Sequence, residues 1–345
     1  MSESTVDLLR VIQRFEGRRV LVLGDVVADQ YVFGNPARVS REAPVLILRY
    51  LSREWRLGGA ANACRNLHSL GASVRALGVV GGDRAGQAVR QLFSDQGIAT
   101  DGILSTPGRC TPVKTRIMAG TSRSTRQQVI RVDREPDGPI PPAAEAGLLD
   151  RLRAWAPGLD AIVLSDYGYG TITPRLLAEV RTFEAQGMLV AADSRYDLLR
   201  FEGLTAATPN EAEVEQLLGL ALDGDKTVEQ AGWRLLERLG ARYLLVTRGA
   251  RGLALFERGG TATFVPIFGS DEIADVTGAG DTVISTFTLA LASGAAPIAA
   301  ARLSNYAGGL VVMKRGTATV GRDELANAVR RDSGPGSDDG AGGRA

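Results

Sequence analysis

Asp275-Val276-Thr277-Gly278-Ala279-Gly280-Asp281, followed by the small apolar run Thr282–Ala292, is the stretch around which the chain is organised. Two glycines and an alanine leave backbone N–H groups uncovered where a helix begins, and the partial positive charge of that helix end favours an anion. Asp281 falls in the first helical turn, so its carboxylate points to the same place as the amides. A carboxylate that takes the proton of an attacking hydroxyl, beside amides that hold the charge of a transferred group, suffices for phosphoryl transfer. Asp281, Gly278, Ala279 and Gly280 are therefore the candidate catalytic residues. A plain glycine-rich turn whose Asp supports the helix dipole fits the same residues, so the rest of the chain decides.

Downstream, Ile298–Met313 carries Asn305, Ala307, Gly308 and Gly309, which allow close packing or contact with an adenine. Upstream, the strand Tyr243–Val246 leads through Thr247-Arg248-Gly249 and Gly252 to a strand Leu253–Phe256, a hairpin that either walls a nucleotide pocket or simply turns. Before it the chain alternates strands (19–24, 73–80, 161–164, 188–192) with helices (60–70, 84–96, 144–155, 174–186), the pattern of a parallel sheet covered on both faces. The strand ends are polar: Asp25 and Asp29, Asp166, Asp193, then Asn210-Glu211-Ala212-Glu213. Open α/β sheets bind ligands at that edge. Asp29 is placed to grip sugar hydroxyls or to accept loop hydrogen bonds. Asn210 and Glu213 either face a hydrated Mg²⁺ together or cap a helix reciprocally. Gly58-Gly59-Ala60-Ala61-Asn62 opens a helix where a ligand can approach the backbone, and Asn62 can both donate and accept. The motif is not Gly-x-Gly-x-x-Gly and lacks the acidic residue of a dinucleotide site, which disfavours a nicotinamide oxidoreductase.

Two β-rich excursions, residues 31–50 and 110–134, break the rhythm and predict a small sheet laid on the main domain as a lid. Its arginines, Arg38, Arg41, Arg116, Arg123, Arg126 and Arg131, are edge-protecting charges or phosphate ligands. An exposed edge there needs covering, which points to a homodimer through the lid.

Composition removes other classes. Forty basic against 39 acidic residues give a net charge of +1, so no global field attracts nucleic acid or an anionic membrane. The apolar runs are too short to span a bilayer and Met1–Asp7 has no signal-peptide core, so a cytoplasmic location is expected. Cys64 and Cys110 read as reduced structural thiols. His68 is the only histidine and reads as a surface residue, which excludes paired-His metal sites. No serine has a nucleophile-elbow context. From Arg331 the composition turns to Gly, Ser, Asp and Arg, so residues 331–345 are expected to be a disordered tail.

Taken together, residues 15–325 resemble the PfkB (ribokinase-like) carbohydrate kinase family. The Gly58–Asn62 motif with Gly71 and Gly81 behind it, and the Asp275–Asp281 motif, carry the resemblance. It implies a ribokinase-like three-layer α/β/α domain over residues 1–325, with a central, mostly parallel sheet and the small β lid. It also implies transfer of the γ-phosphate of ATP to a sugar alcohol, with Asp281 as base and the amides of Ala279, Gly280 and Asp281 as anion hole. Asn210 and Glu213 would organise Mg²⁺ through water, and a K⁺ requirement is left open. Asp29, Gly58, Gly59 and Asn62 would hold the sugar; Asn210, Thr247, Gly249 and Asn305 would line the nucleotide pocket. A non-catalytic sugar- or nucleotide-binding relative would show a damaged Gly-Ala-Gly-Asp or Asn-x-x-Glu, and both are intact here.

Within that family the chain looks most like the heptose 7-phosphate kinases. Gly24–Val26 with Asp29 and Tyr31, Arg38–Val45, Gln127–Asp133, Leu164–Tyr167 and Gly316–Val320 carry this likeness. It implies phosphorylation of the anomeric O1 of D-glycero-D-manno-heptose 7-phosphate, with Arg38, Asp166 and Arg195 on the sugar side. Two lysines of the family pattern are absent: Tyr169 stands before Gly170, and Arg195 follows Asp193-Ser194. Arg195 restores a cation with good phosphate geometry; Tyr169 does not.

Overall fold

Strand β1 (Arg19–Gly24) is buried from Val20 onward, and its side chains alternate between two separate cores. Val20 and Val22 belong to one, Leu21 and Leu23 to the other. A strand apolar on both faces needs cover on both, which is what fixes the layer arrangement. The computed structural model describes residues 4–120, 126–269, 275–314 and 316–332. Its helices are α1 (Thr5–Gln13), α2 (Ala60–Ser69), α3 (Arg84–Asp95), α4 (Pro142–Trp155), α5 (Pro174–Ala185), α6 (Glu211–Leu218), α7 (Asp225–Leu239), α8 (Ala279–Ala292), α9 (Pro297–Val312) and α10 (Arg322–Asp332). The strands after β1 are β2 (Val26–Val39), β3 (Leu46–Gly59), β4 (Ser73–Gly81), β5 (Ile103–Thr106), β6 (Val113–Ala119), β7 (Gln127–Arg134), β8 (Ala161–Asp166), β9 (Leu189–Ser194), β10 (Ala206–Ala207), β11 (Tyr243–Thr247), β12 (Leu253–Glu257) and β13 (Ala262–Val265).

The main sheet has nine strands in the order β13-β12-β11-β10-β9-β8-β1-β4-β5, all running one way except β12, which is antiparallel to both its neighbours. One core joins it to Leu8 of α1, Leu67 of α2, Val89 of α3, Phe287 of α8, Leu303 of α9 and Val329 of α10. The other joins it to Leu148 of α4, Leu176 of α5, Val214 of α6 and Leu235 of α7. This is the ribokinase-like three-layer α/β/α arrangement expected. Helix α8 is buried from Asp281 through Ala290 and packs on α2 through small residues, with Ser285 Oγ donating to the Ala63 carbonyl at 3.2 Å. A helix covered all round lies at the centre of its layer.

The second sheet, β3-β2-β6-β7, is the lid. Its hairpin starts earlier and ends later than residues 31–50. Val26, Val27, Ala28 and Leu57–Gly59 are buried in the main domain, whereas the outer ends of β2 and β3 are exposed. Pro36 lies inside β2, paired in register with Leu48 beside an irregularity between Pro36 and Arg38, a place where a strand tolerates proline. Arg123 lies outside the described residues. His68 is exposed, and Cys64 and Cys110 are free. Helix α7 and strand β13 are additions to the sequence reading.

The domain does not end at residue 325. Helix α10 continues to Asp332, burying Leu325, Ala326, Ala328 and Val329, and Tyr306 Oη donates to Asp332 at 2.5 Å. Arg331 and Asp332 are thus helical, and the rest of the expected tail lies outside the described residues. No helix among those residues is long and apolar enough to cross a membrane.

Candidate active site

Helix α8 begins where Gly278 takes φ +82°, a left-handed conformation natural to glycine. A Cβ at that position would lie 2.6 Å from Asn62 Nδ2. The turn before it is tied by Asp275, whose carboxylate accepts from the amides of Thr277 and Gly316, each at 2.9 Å. The Ala279 amide donates to the Val276 carbonyl at 3.2 Å, so the expected trio of anion-binding amides is reduced. The amides of Gly280 and Asp281 have no acceptor among the described residues. Gly278→Ala is expected to lower both thermal stability and turnover, since the added methyl meets Asn62 and the backbone is strained. Thermal unfolding alongside steady-state kinetics checks it.

Asp281 is buried at 3% exposure, and both its oxygens are held. Asn62 Nδ2 donates to Oδ2 at 2.8 Å and Tyr167 Oη donates to Oδ1 at 3.1 Å. Burial raises its pKa to about 6, against the pull of these two hydrogen bonds and of Lys114, while Asp29 raises it further. A carboxylate with that affinity takes a proton from a hydroxyl more readily than an exposed one.

Two cavities flank this helix start. The smaller, about 220 Å³, is bounded by Gly278 and Asp281, by Asp29, Gly58 and Gly59, and by Lys114, Arg116, Arg131, Tyr167 and Arg195. Asp29 is paired with Arg116 at 2.6 Å, and a Cβ on Gly58 would sit 2.7 Å from Asp29 Oδ2. Arg131 pairs with Asp133 at 3.0 Å. Lys114, 8% exposed, has no carboxylate partner within ion-pair distance among the described residues, and neither does Arg195. Lys114 Nζ lies 4.6 Å from the Tyr167 ring centroid, and burial followed by Arg195 lowers its pKa. The larger cavity, about 460 Å³, brings together Asn210, Thr247, Gly249 and Asn305 with Ala279, Gly280, Gly308 and Gly309. Asn305 Nδ2 donates to the Pro266 carbonyl at 2.7 Å. Arg248 fixes the rim, buried between Glu211 (2.9 Å) and Asp225 (2.6 Å).

Three residues assigned to the sugar side sit elsewhere. Arg38 is exposed on the outer part of β2, paired in register with Ile47, away from both cavities. Asp166 is buried with its carboxylate taken by Ser194 Oγ at 2.7 Å and by the Gly168 amide at 3.4 Å. Asn62 is turned onto Asp281 instead of lining the cavity, and its Oδ1 has no donor among the described residues. Lys114 and Tyr167 were missed. Lys114 shares a strand face with Arg116 two residues on, and Tyr167 follows the end of β8, the edge already singled out.

Asn210 and Glu213 form the full capping box, Asn210 Oδ1 accepting from the Glu213 amide and Glu213 Oε2 from the Asn210 amide, each at 2.9 Å. This leaves Glu213 Oε1 without a hydrogen-bond partner among the described residues. Asp193, named on the ligand edge of the sheet but given no role there, reaches the same place: a Cβ on Gly280 would lie 3.8 Å from its Oδ2. Burial, then Glu213 and Asp281, push its pKa well up. No cluster of three or more His, Cys, Asp or Glu suited to a metal occurs among the described residues. Magnesium keeps several waters and takes one or two carboxylates plus phosphate oxygens. Crowded, proton-hungry Asp193 and Glu213 fit that donor set.

Residues 18–324 match the model for pfkB family carbohydrate kinases. The chain is 40% identical over 318 residues to Bifunctional protein HldE of Geobacter sulfurreducens, covering 92% of this chain and 64% of that protein. It is 38% identical over 321 residues to the protein of that name from Pelobacter propionicus, again covering 92% and 64%. The chain therefore spans under two thirds of these relatives' length. Among solved structures, Arabidopsis thaliana ribokinase complexed with ribose and ATP superposes with a TM-score of 0.70 at 19% identity, covering 91% of this chain and 99% of that one. Escherichia coli phosphofructokinase-2 superposes with a TM-score of 0.74 at 18% identity, with the same coverage. At these identities the two likenesses speak for the fold.

Proposed function

The chain belongs to the pfkB family of carbohydrate kinases, and from that premise we propose that it transfers the γ-phosphate of ATP to O1 of D-glycero-β-D-manno-heptose 7-phosphate. The product, the 1,7-bisphosphate, would serve ADP-heptose synthesis. The observation that carries this reading is that the start of α8 is the wall between two cavities. Gly278 and Asp281 face the smaller one, Ala279 and Gly280 the larger, and Val276 touches both. An acceptor and a phosphoryl donor loaded on the two sides would meet at one helix end.

Asp281 takes the proton of the attacking hydroxyl, and the amides of Gly280 and Asp281 hold the transferred charge. Asp193 and Glu213 would hold Mg²⁺, and the chemistry the ion supplies when bound is neutralisation of phosphate charge. Asp29 and the Gly58-Gly59 backbone bind the sugar. Lys114 and Arg195, which have no carboxylate partner among the described residues, favour an acceptor that carries its own anion, and this supports a sugar phosphate over a free sugar. An ADP-release assay over heptose 7-phosphate, fructose 6-phosphate, ribose and adenosine tests the reading; turnover confined to ribose or adenosine would overturn the substrate. Because the ionised base is required, kcat/KM is expected to fall as pH drops through about 6, with little change above 7.

The small sheet supports a homodimer. Ile130 and Val132 are exposed at 54% and 53% on β7, an edge strand, and Val39, Leu46 and Tyr50 are exposed on β2 and on β3, the opposite edge of the same sheet. Val132→Glu is expected to convert a dimer to monomer in sedimentation velocity runs.

A further inference from the structure

Asp25 is completely buried at the end of β1 and lines neither cavity. Its carboxylate accepts three backbone N–H groups from one turn: Tyr167 at 2.8 Å and Tyr169 at 3.0 Å on Oδ2, and Thr171 at 3.0 Å on Oδ1. Its carbonyl accepts the Ala60 amide, the first of α2, at 3.0 Å. Gly59, at φ +57°, makes that approach possible, since a Cβ there would lie 2.5 Å from the same carbonyl. The two segments Asp25 grips are the two that reach the base. Tyr167, on the turn, holds Oδ1 of Asp281; Asn62, on α2, holds Oδ2.

We propose that Asp25 is a positioning residue for the reaction: its carboxylate sets the 167–171 turn so that the Tyr167 hydroxyl stays on Asp281, and its carbonyl sets the helix that brings Asn62 to the other oxygen. The inference rests on Asp281 being the base. A purely structural anchor would cost stability and leave the protonation of the base alone. A positioning residue controls whether the base receives its hydrogen bond from Tyr167. Asn at position 25 keeps one acceptor but turns an N–H donor toward amides that are themselves donors, so the turn relaxes.

The sign of the pH effect separates these roles. A hydrogen bond donated to an ionised carboxylate stabilises that form, so losing it moves the acid limb of kcat/KM to higher pH. Losing the Asp25 charge alone would move it to lower pH. The groups facing Asp281 from other elements, Asp29 on β2, Lys114 on β6, Asp193 on β9 and Cys64 on α2, are unchanged by the substitution. The experiment measures kcat, both KM values, pH profiles and thermal unfolding for the parent, Asp25→Asn, Tyr167→Phe and the double variant.

Both single variants are expected to lose about 10-fold in kcat and to move the acid limb up by about half a pH unit or more, with KM for ATP within about twofold. The double variant is expected to be no worse than the poorer single, because one acts through the other. An unmoved or down-shifted limb in Asp25→Asn, or additive losses in the double, overturns the proposal. If Asp25→Asn does not fold, an unmoved limb in Tyr167→Phe does the same. Full activity in Asp281→Asn would instead overturn the base assignment, whatever Asp25 does.

Discussion

Asp281→Asn is expected to cut kcat by on the order of 10³-fold while changing KM for either substrate little. The amide keeps the shape and can still meet Tyr167 and Asn62, so binding survives, but it cannot take the proton of the acceptor hydroxyl. The same substitution is expected to stabilise the fold at neutral pH. In the native state the carboxyl holds its proton up to about 6, against a reference value of 3.8, because it is buried. A group whose folded pKa is raised contributes stability that is complete below the unfolded value and disappears as pH rises through the folded one. Above pH 6 the parent therefore carries a dry, charged carboxylate that the Asn variant lacks. Its thermal midpoint should exceed the parent's at pH 8 and converge with it toward pH 4. An Asn variant as active as the parent would remove Asp281 from the chemistry.

Lys114→Met carries the second large effect. Lys114 is nearly covered, holds its Nζ 4.6 and 5.9 Å from the Tyr167 and Tyr169 ring centroids, and has no carboxylate to neutralise it among the described residues. Its charge is free for a substrate anion, and a charge-assisted contact in a dry pocket is worth more than one in water. With a phosphorylated acceptor, kcat/KM should drop on the order of 10²-fold, mostly through KM; with the matching unphosphorylated sugar it should change by about 3-fold or less. Equal losses on both acceptors would mean that the lysine supports the pocket without reading the phosphate. Lys114 also pulls the base's proton affinity down, so its loss should nudge the acid limb upward.

The fold was legible because two periodicities in the sequence agree. The apolar runs at 19–24 and 161–164 are strands buried on both faces, and helices α2, α3 and α5 stop at Gly71, Gly97 and Gly187, each with positive φ. The Gly278–Asp281 turn was legible as the start of a helix with uncovered amides, although a plain glycine-rich turn fitted the same residues until the rest of the chain was read. What escaped was whatever depended on direction across the chain. Arg38 looked like a phosphate ligand by motif, but the strand carries it outward; Asn62 looked like a sugar ligand, but 219 positions separate it from the carboxylate it meets. Local grounds left Asn210 and Glu213 divided between a cap and a metal, and the capping box uses one side chain oxygen of each without exhausting Glu213.

Strand β2 runs from Val27 and Asp29 at the wall of the smaller cavity to Val39 in solvent, with register irregularities at Phe33/Gly34 and Pro36/Arg38. Strand β3 follows it over almost its whole length, whereas β6 accompanies it only over Ala28–Gly34. The half that carries Asp29 and its Arg116 partner is therefore braced on both sides, and the outer half is a two-stranded ribbon standing clear of the main domain.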